Sequence, residues 1–455
     1  MNNVDFILRI KYNKNMNDDM NDEQKDMLND LAALVAVPSV VSEPAPGAPF
    51  GVQNRRALDT FLARAAALGL RTGNDDGYAG WAEYGEGELV VGVLAHLDVV
   101  PAGENWTSPP FELTVKDGCI CGRGVSDDKG PLVACLYALA RLVREKRALH
   151  GRVRLIAGCN EEEGSACIKH YVSCCELPRV SFTPDSVFPV TASEKGILHA
   201  EILLPRCEDT AARLISLFGG VRPNVVPDFC RALVATSSAA DSRYAALEEN
   251  GVSAHGSTPE KGVNAITKLL PKLSALLPSD DGLKRAAELL CGKDAPARLG
   301  LGKSDVTGKT TVNVGLCSMK DGRISLTLDL RLPAAYPPPA AVKALRSALP
   351  GADVKVLHAA SPLVHDENGA LVRTLTEVYR RETGDLDAAP LHIGGGTYAK
   401  ELPNCAAFGA VFPGVETHMH EADERYPLTD FMRLTDIYYD AIVSLDEAFG
   451  KTNGK

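Results

Sequence analysis

The stretch that most constrains the fold runs from Leu89 to Pro101, Leu-Val-Val-Gly-Val-Leu-Ala-His-Leu-Asp-Val-Val-Pro. It is a nearly continuous apolar run, rich in β-branched residues, broken only by His96 and Asp98 and stopped by Pro101. A strand covered on both faces reads this way, and such strands belong to parallel sheets flanked by helices. Residues two apart on a strand share a face, so His96 and Asp98 are expected side by side at its carboxyl end. Open α/β sheets place their ligands at that end. An imidazole beside a carboxylate suits a metal ligand held by an orienting acid, and equally suits a core histidine capped by an acid. The pair alone leaves both readings open.

The rest of the chain supports a layered α/β fold. Leu28, Leu31, Leu34 and Val35 fall at helical spacing between Asp22 and Val37, with Pro38 as the stop. A second helix is expected from Arg55 to Leu68, followed by a strand at Trp81–Tyr84. Helices alternating with short apolar runs predict a largely parallel sheet. At 455 residues, two or more domains are expected. The net charge of −11 argues against nucleic acid or an anionic membrane as partner. No apolar run is long enough to span a bilayer, and no secretory h-region opens the chain. The twelve cysteines lack zinc-finger spacing and read as reduced thiols, so a cytoplasmic location is expected.

Carboxylates then recur at the ends of predicted strands. Cys121–Pro131 is a glycine-rich turn with two adjacent acids, Asp127 and Asp128, before an apolar helix from Leu132 to Val143. Its glycines do not fit a phosphate loop, and adjacent acids would repel phosphate. They attract a cation, or one of them caps the helix. In Val153–Gly164 a strand ends in Glu161, Glu162, Glu163 and a glycine, and in Val180–Asp185 a strand is terminated by Asp185. An acidic run is usually a solvated face, but these sit at strand ends.

From 193 to 363 the texture changes, and an inserted domain is expected. Helices are read at Ala211–Leu217 and Val263–Leu277, strands at Thr311–Leu316 and Ile324–Arg331, and a stiff turn at Pro337–Pro339. A helix at Leu371–Arg381, a strand at Ala406–Val411 and a helix at Asp430–Phe449 resume the first texture. The expected organisation is therefore a disordered extension over 1–22, with Met16 and Met20 as alternative starts. A catalytic domain would follow from 23–192 and 364–455, with a lid from 193–363.

His96, Asp127, Glu162, Asp185 and His420 come from five segments, four of them following predicted strands. Two histidines and three carboxylates form a mixed N/O donor set suited to zinc, with cobalt or manganese feasible. Five ligands exceed what one open catalytic ion needs and suit two ions bridged by a carboxylate. Glu161, next to Glu162, is the candidate proton shuttle.

Five ordered motifs together resemble the aminoacylase/carboxypeptidase family of di-zinc metallopeptidases. They are His96–Asp98 with Val99–Gly103, Gly122–Gly130, Asn160–Glu162, Pro184–Asp185 and His420–Glu424. Within that family they are most similar to the peptidase V-type branch of Xaa-His or carnosinase-like dipeptidases, over roughly residues 22 to 450. The resemblance implies an α/β fold with a zinc-exopeptidase-like catalytic domain, a mainly parallel central sheet flanked by helices, and an inserted α+β lid. It implies two Zn2+ ions per chain, with Mn2+ or Co2+ able to replace them. Asp127 would bridge the ions, His96 and Asp185 would complete one site, and Glu162 and His420 the other. Asp98 would orient His96, Glu161 would be the general base toward a water bridging the ions, and Asp127-Asp128 would be a cis peptide.

The same resemblance assigns the substrate contacts. Val252–Glu260 is similar to the family's lid motif, whose histidine stabilises the oxyanion, which points to His255. Asn224 and Arg331 match positions that contact the substrate backbone and its free carboxylate, although Arg331 also suits a structural ion pair. Gly394, Gly395 and Thr397 match a loop lining the substrate cleft, and equally suit a simple strand-to-helix turn. Asp185 itself would receive the substrate's amino group, or a nearby acid would; it is the acid of the dipeptidase and aminopeptidase branches, where deacylases more often carry Glu. The long lid implies a monomer in which His255 acts within its own chain. Glu163, Ser165, Val125 and Ser126 depart from the family pattern and leave the preferred side chain open. The expectation is a metal-dependent dipeptidase acting on small peptides with a free amino terminus, without nucleic-acid or membrane partners. An N-acyl amino acid deacylase of the same family is the alternative. A non-catalytic metal-binding protein would be expected to lack the base or a ligand, and this chain lacks none.

Overall fold

The Leu89–His96 segment is a strand in which all eight residues are buried. In the computed structural model, which describes residues 20–205, 212–238 and 241–451, it pairs in parallel with Arg152–Gly158 on one side and Val180–Thr183 on the other. Cys405–Phe408 extends the parallel block beyond Val180–Thr183. Outside this block the sheet turns antiparallel, through Ala79–Tyr84 and Arg71–Asp75 at one side and Val190–Glu194 at the other. The sheet is thus mixed, with a parallel centre, and the fold is α/β. The expected extension over 1–22 lies, for residues 1–19, outside the described residues.

The described residues group into two compact units. One comprises the chain up to Ala192, His365–Leu391 and the chain from Thr397 onward; the other comprises Ser193–Val364 and His392–Gly396. In the first unit the opening helix, Asp22–Val35, starts at a capping box in which Asn21 accepts from the Gln24 amide and Gln24 accepts from the Asn21 amide. Such a cap contributes about 1 kcal/mol. Its buried stripe of Met27, Leu28, Leu31, Leu34 and Val35 packs against the helix Lys129–Glu145, which also packs against Leu428–Phe449. Gly130, at the start of Lys129–Glu145, has a structural reason: a Cβ there would lie 2.0 Å from the Val125 carbonyl oxygen. The helix can therefore close against the preceding loop only without a side chain.

The second unit is built on a seven-stranded sheet, antiparallel throughout. Its order is Asp241–Asn250, Phe229–Ser238, Ala212–Gly219, Thr311–Lys320, Arg323–Leu332, Gly196–Leu203, Asp353–Ala360. Alternate residues of Gly196–Leu203, among them Leu198, Ala200 and Ile202, join a core with Ile266, Leu269, Leu270 and Leu273 of the helix Ala265–Leu276. That is the period-two face of a strand meeting the apolar stripe of a helix.

Two local expectations fail here. The helix read at Ala211–Leu217 is a strand, Ala212–Gly219, paired along its length with Phe229–Ser238. Its Leu-Ile-Ser-Leu-Phe core has apolar residues at both helical and strand spacing, and cross-strand pairing decides between them. The triple proline does not form a turn: Pro338 and Pro339 open the helix Pro338–Ala348. Proline suits the first helical turn, where the missing amide would have no partner. No helix among the described residues is long and apolar enough to cross a membrane, and none of the cysteines among them is in a disulfide.

Candidate metal centre

In the first unit, His96 ends its strand fully buried, and its two ring nitrogens face different partners. Nδ1 lies 2.9 Å from the backbone carbonyl of Asp98. A carbonyl only accepts, so Nδ1 carries a proton, which leaves Nε2 as the atom that faces Asp127 and would turn its lone pair to an ion once deprotonated. Nε2 lies 2.8 Å from Oδ1 of Asp127. The other oxygen of the same carboxylate, Oδ2, lies 2.8 Å from Nε2 of His420, which is 3.1 Å from Oε1 of Glu162. One carboxylate thus stands between two imidazoles with an oxygen turned to each, the pose of a bridging ligand.

The donor atoms of Asp127, Glu162 and His420 lie within 4.8 Å of one another, and so do those of His96, Glu161 and Asp185. All five expected ligands and the expected base are therefore brought together, with Glu161 beside His96 and Asp185. Six carboxylates (Asp98, Asp127, Asp128, Glu161, Glu162 and Asp185) gather around two histidines. Burial pushes the carboxyls of Glu161, Asp185 and Asp128 well above the usual range, with neighbouring acids adding to the shift. Asp127 goes the other way: hydrogen bonds from His420 and His96 outweigh its burial and hold it far below that range. Burial draws His420 down, but Asp127 and Glu162 outweigh it and push its pKa up to about 11. This local excess of negative charge is what divalent cations neutralise, and the N/O donor set fits zinc, manganese or cobalt.

The supporting contacts show how the loops are held. The Asp98 side chain stands 3.6 Å from His96 Nδ1, farther than its own backbone carbonyl. Its carboxylate instead accepts the amides of Glu161 and Glu162, both at 3.0 Å. Asp98 therefore orients His96 through its backbone and the glutamate turn through its side chain. The capping role left open for the adjacent acids is not made: Asp128 has no side-chain cap bond and accepts the His96 amide at 3.0 Å. The Asp127-Asp128 peptide is cis.

Three residues here escaped the sequence reading as site components. Glu424 accepts from Arg123, from the amides of Gly124, Ser126 and Asp127, and from the Ser126 hydroxyl. Arg123 is fully buried and also donates to the Glu421 carbonyl, so the pair ties the Asp127 loop to the His420 loop. Lys129, also buried, donates to the carbonyls of Leu34 and Val37. Burial draws its pKa down to about 7 against the pull of Glu424 and Asp98. Arg123, Lys129 and Glu424 stand inside the motifs that carried the resemblance; a lone charged residue that is fully buried was the signal, and burial is not readable from one sequence.

The second unit gathers its own set. The Asn224 carbonyl accepts the Gly256 amide, which places Asn224 beside His255. A Cβ on Gly256 would lie 2.4 Å from Oδ2 of Asp329, so a glycine is required there. Asp329 takes both Nε and Nη2 of Arg331, at 2.9 and 3.1 Å, and Arg331 Nη1 reaches the Gly394 carbonyl at 3.3 Å. Arg331 therefore makes the structural ion pair that the sequence left open, and only part of its guanidinium is used in it. Nδ1 of His255 is 2.6 Å from the Ser257 hydroxyl and accepts the Ser257 amide at 3.3 Å. An amide only donates, so the proton sits on Nε2, the tautomer of a hydrogen-bond donor. Gly395 belongs to this unit as well, whereas Thr397 belongs to the first, where its side chain caps the short turn Tyr398–Lys400.

Comparison with known proteins places this geometry in a family. The family model described as peptidase family M20/M25/M40 matches residues 92–444. A Bacillus subtilis (strain 168) protein provisionally named dipeptidase YtjP is 33% identical, over 92% of this chain and 97% of its own length. Human carnosine dipeptidase 1 has a similar structure, with a TM-score of 0.59 at 15% identity, covering 93% of this chain and 97% of that one. The M20 family metallo-carboxypeptidase Sso-CP2 of Sulfolobus solfataricus gives 0.60 at 16% identity, covering 94% and 100%. The extent of the family match and the identity to a full-length relative decide the assignment: this chain belongs to peptidase family M20/M25/M40.

Proposed function

We propose that the chain is a metal-dependent dipeptidase that hydrolyses the peptide bond of dipeptides with a free amino terminus. The observation that carries the reading is the Asp127 carboxylate standing between His96 and His420 with Glu161 beside them. The family and the dipeptidase name of the full-length relative support it. Asp127, His96 and Asp185 would hold one divalent ion, and Asp127, Glu162 and His420 a second, zinc being the favoured metal. Bound there, such ions supply a water of lowered pKa and polarisation of a carbonyl oxygen.

The chain's own residues do the rest. Glu161, whose carboxyl burial pushes well above the usual carboxylate range, accepts a proton from the attacking water. Water oxygen adds to the scissile carbon, the C–N bond breaks, and Glu161 returns the proton to the leaving amine. His255 donates from Nε2 to the oxyanion, Asn224 holds the substrate backbone, and the unspent edge of Arg331 takes the free carboxylate. Gly394 and Gly395 give the backbone close access to the substrate, and Thr397 anchors the turn after them. The protein acts as a monomer in the cytoplasm in this reading.

Glu161→Ala tests the base. Metal content by elemental analysis should remain at the wild-type stoichiometry while kcat on alanyl-alanine falls by roughly 10²–10⁴. Undiminished turnover with metal retained would remove Glu161 from the mechanism.

A further inference from the structure

Within the second unit a cavity of about 780 Å3 opens beside the residues assigned to the substrate. Its wall includes Ser257, which reaches His255, and Gly394, which takes Arg331. Lys195, Lys293 and Lys309 also line it, against a single carboxylate, Glu260. The chain as a whole carries a net charge of −11, so the sign of this cavity runs against that of the molecule. Burial holds the Lys195 ammonium below the usual lysine range; Glu260 and Asp305 pull it back up, and Arg331 adds to the fall. Lys195 and Arg331 therefore lie within Coulombic reach of each other. Thr310 and Thr311 line the same wall, and their buried hydroxyl oxygens have no hydrogen-bond partner among the described residues. A buried hydroxyl left unpaired is destabilising, and a ligand oxygen would relieve it.

We propose that this cavity receives the side chain of the substrate's C-terminal residue and selects an acidic one, aspartate or glutamate. The proposal rests on the dipeptidase reading, with the terminal carboxylate held at Arg331. The side chain of that same residue then departs from a point beside Gly394 and Ser257, the shared wall of the cavity. Its carboxylate meets Lys195, Lys293 and Lys309, with the threonine hydroxyls as further donors. Lys293 and Lys309 are exposed, and exposed ion pairs each contribute a few-fold at most, so the expected preference is about tenfold. It should shrink as salt screens it.

The test uses the metal-loaded full chain and compares kcat/KM for alanyl-glutamate, alanyl-glutamine, alanyl-lysine and alanyl-alanine at low and high NaCl. The expected order is glutamate about tenfold over glutamine, with lysine last, and a smaller ratio at high salt. Lys293→Glu and Lys309→Glu should each bring the glutamate-to-glutamine ratio to one or below. That ratio is internal to each variant and does not depend on its overall activity. Hydrolysis of alanyl-alanine without a preference for alanyl-glutamate overturns this inference and leaves the dipeptidase reading standing. So does a preference undiminished in both variants. If no dipeptide is hydrolysed, the dipeptidase reading fails and the inference falls with it.

Discussion

Glu424→Gln is the substitution whose cost the structure sets most closely. Oε2 of Glu424 takes Arg123 Nη1 at 2.7 Å and the Gly124 amide at 2.9 Å. Oε1 takes the Ser126 amide and hydroxyl, both at 2.8 Å, and the Asp127 amide at 3.2 Å. Glutamine keeps the volume but replaces one of these oxygens with an NH2 group. In one orientation that group faces Arg123 and Gly124; in the other it faces the donors of Ser126 and Asp127. Either way buried donors lose their acceptor, and the guanidinium of Arg123, 1% exposed, loses its counter-charge. Removing one side of a buried pair costs about 3–5 kcal/mol, which in a chain of this size lowers Tm by roughly 3–5 °C. The remaining oxygen is expected to stay with Arg123, whose charge-assisted bond is the strongest, so the NH2 group turns to the Asp127 amide and metal affinity should also fall, by roughly 10–100-fold as for other outer partners of metal ligands. Thermal unfolding of the apo and loaded forms, with metal retention against a graded series of chelators, measures both. A variant that unfolds at the wild-type temperature and keeps metal as tightly would refute the claim that Glu424 positions Asp127.

Other expectations follow from the same contacts. His255→Ala should lower kcat by about 10²–10³ with a much smaller change in KM, since its Nε2 proton is used at the oxyanion; a loss under tenfold in steady-state assays would remove that role. Glu83 is held below the ordinary carboxylate value of 4.5, because Arg154, Arg71 and Arg152 outweigh its burial. A depressed carboxyl stabilises the fold above 4.5 and loses that contribution as the pH falls through its folded value. Glu83→Gln should therefore lower Tm clearly at neutral pH and progressively less in acid; an equal deficit at every pH would contradict the assignment.

The parts of the site that sequence made legible are those where chemistry and periodicity coincide. An apolar run that ends in His96 suits a covered strand, and acids placed just after other such runs are positioned to collect at the carboxyl ends of neighbouring parallel strands. Elsewhere one sequence underdetermines the outcome. Ala212–Gly219 carries both periodicities, and only its pairing with Phe229–Ser238 makes it a strand. Asp98 was read as the holder of His96, but its carboxylate is engaged by the amides of Glu161 and Glu162. That division depends on backbone geometry after the strand, which residue types do not encode. Glu424 and Arg123 are some 300 positions apart, and nothing in either local pattern announces that they are buried together.

The most direct test of the central claim is a single assay series on metal-loaded protein. Alanyl-alanine and N-acetyl-alanine are offered before chelation, after chelation, and after zinc or manganese is restored. The account predicts hydrolysis of alanyl-alanine far faster than of N-acetyl-alanine, abolished by chelation and recovered with the metal. Preferential hydrolysis of N-acetyl-alanine, or turnover of alanyl-alanine that survives complete removal of metal, would contradict it.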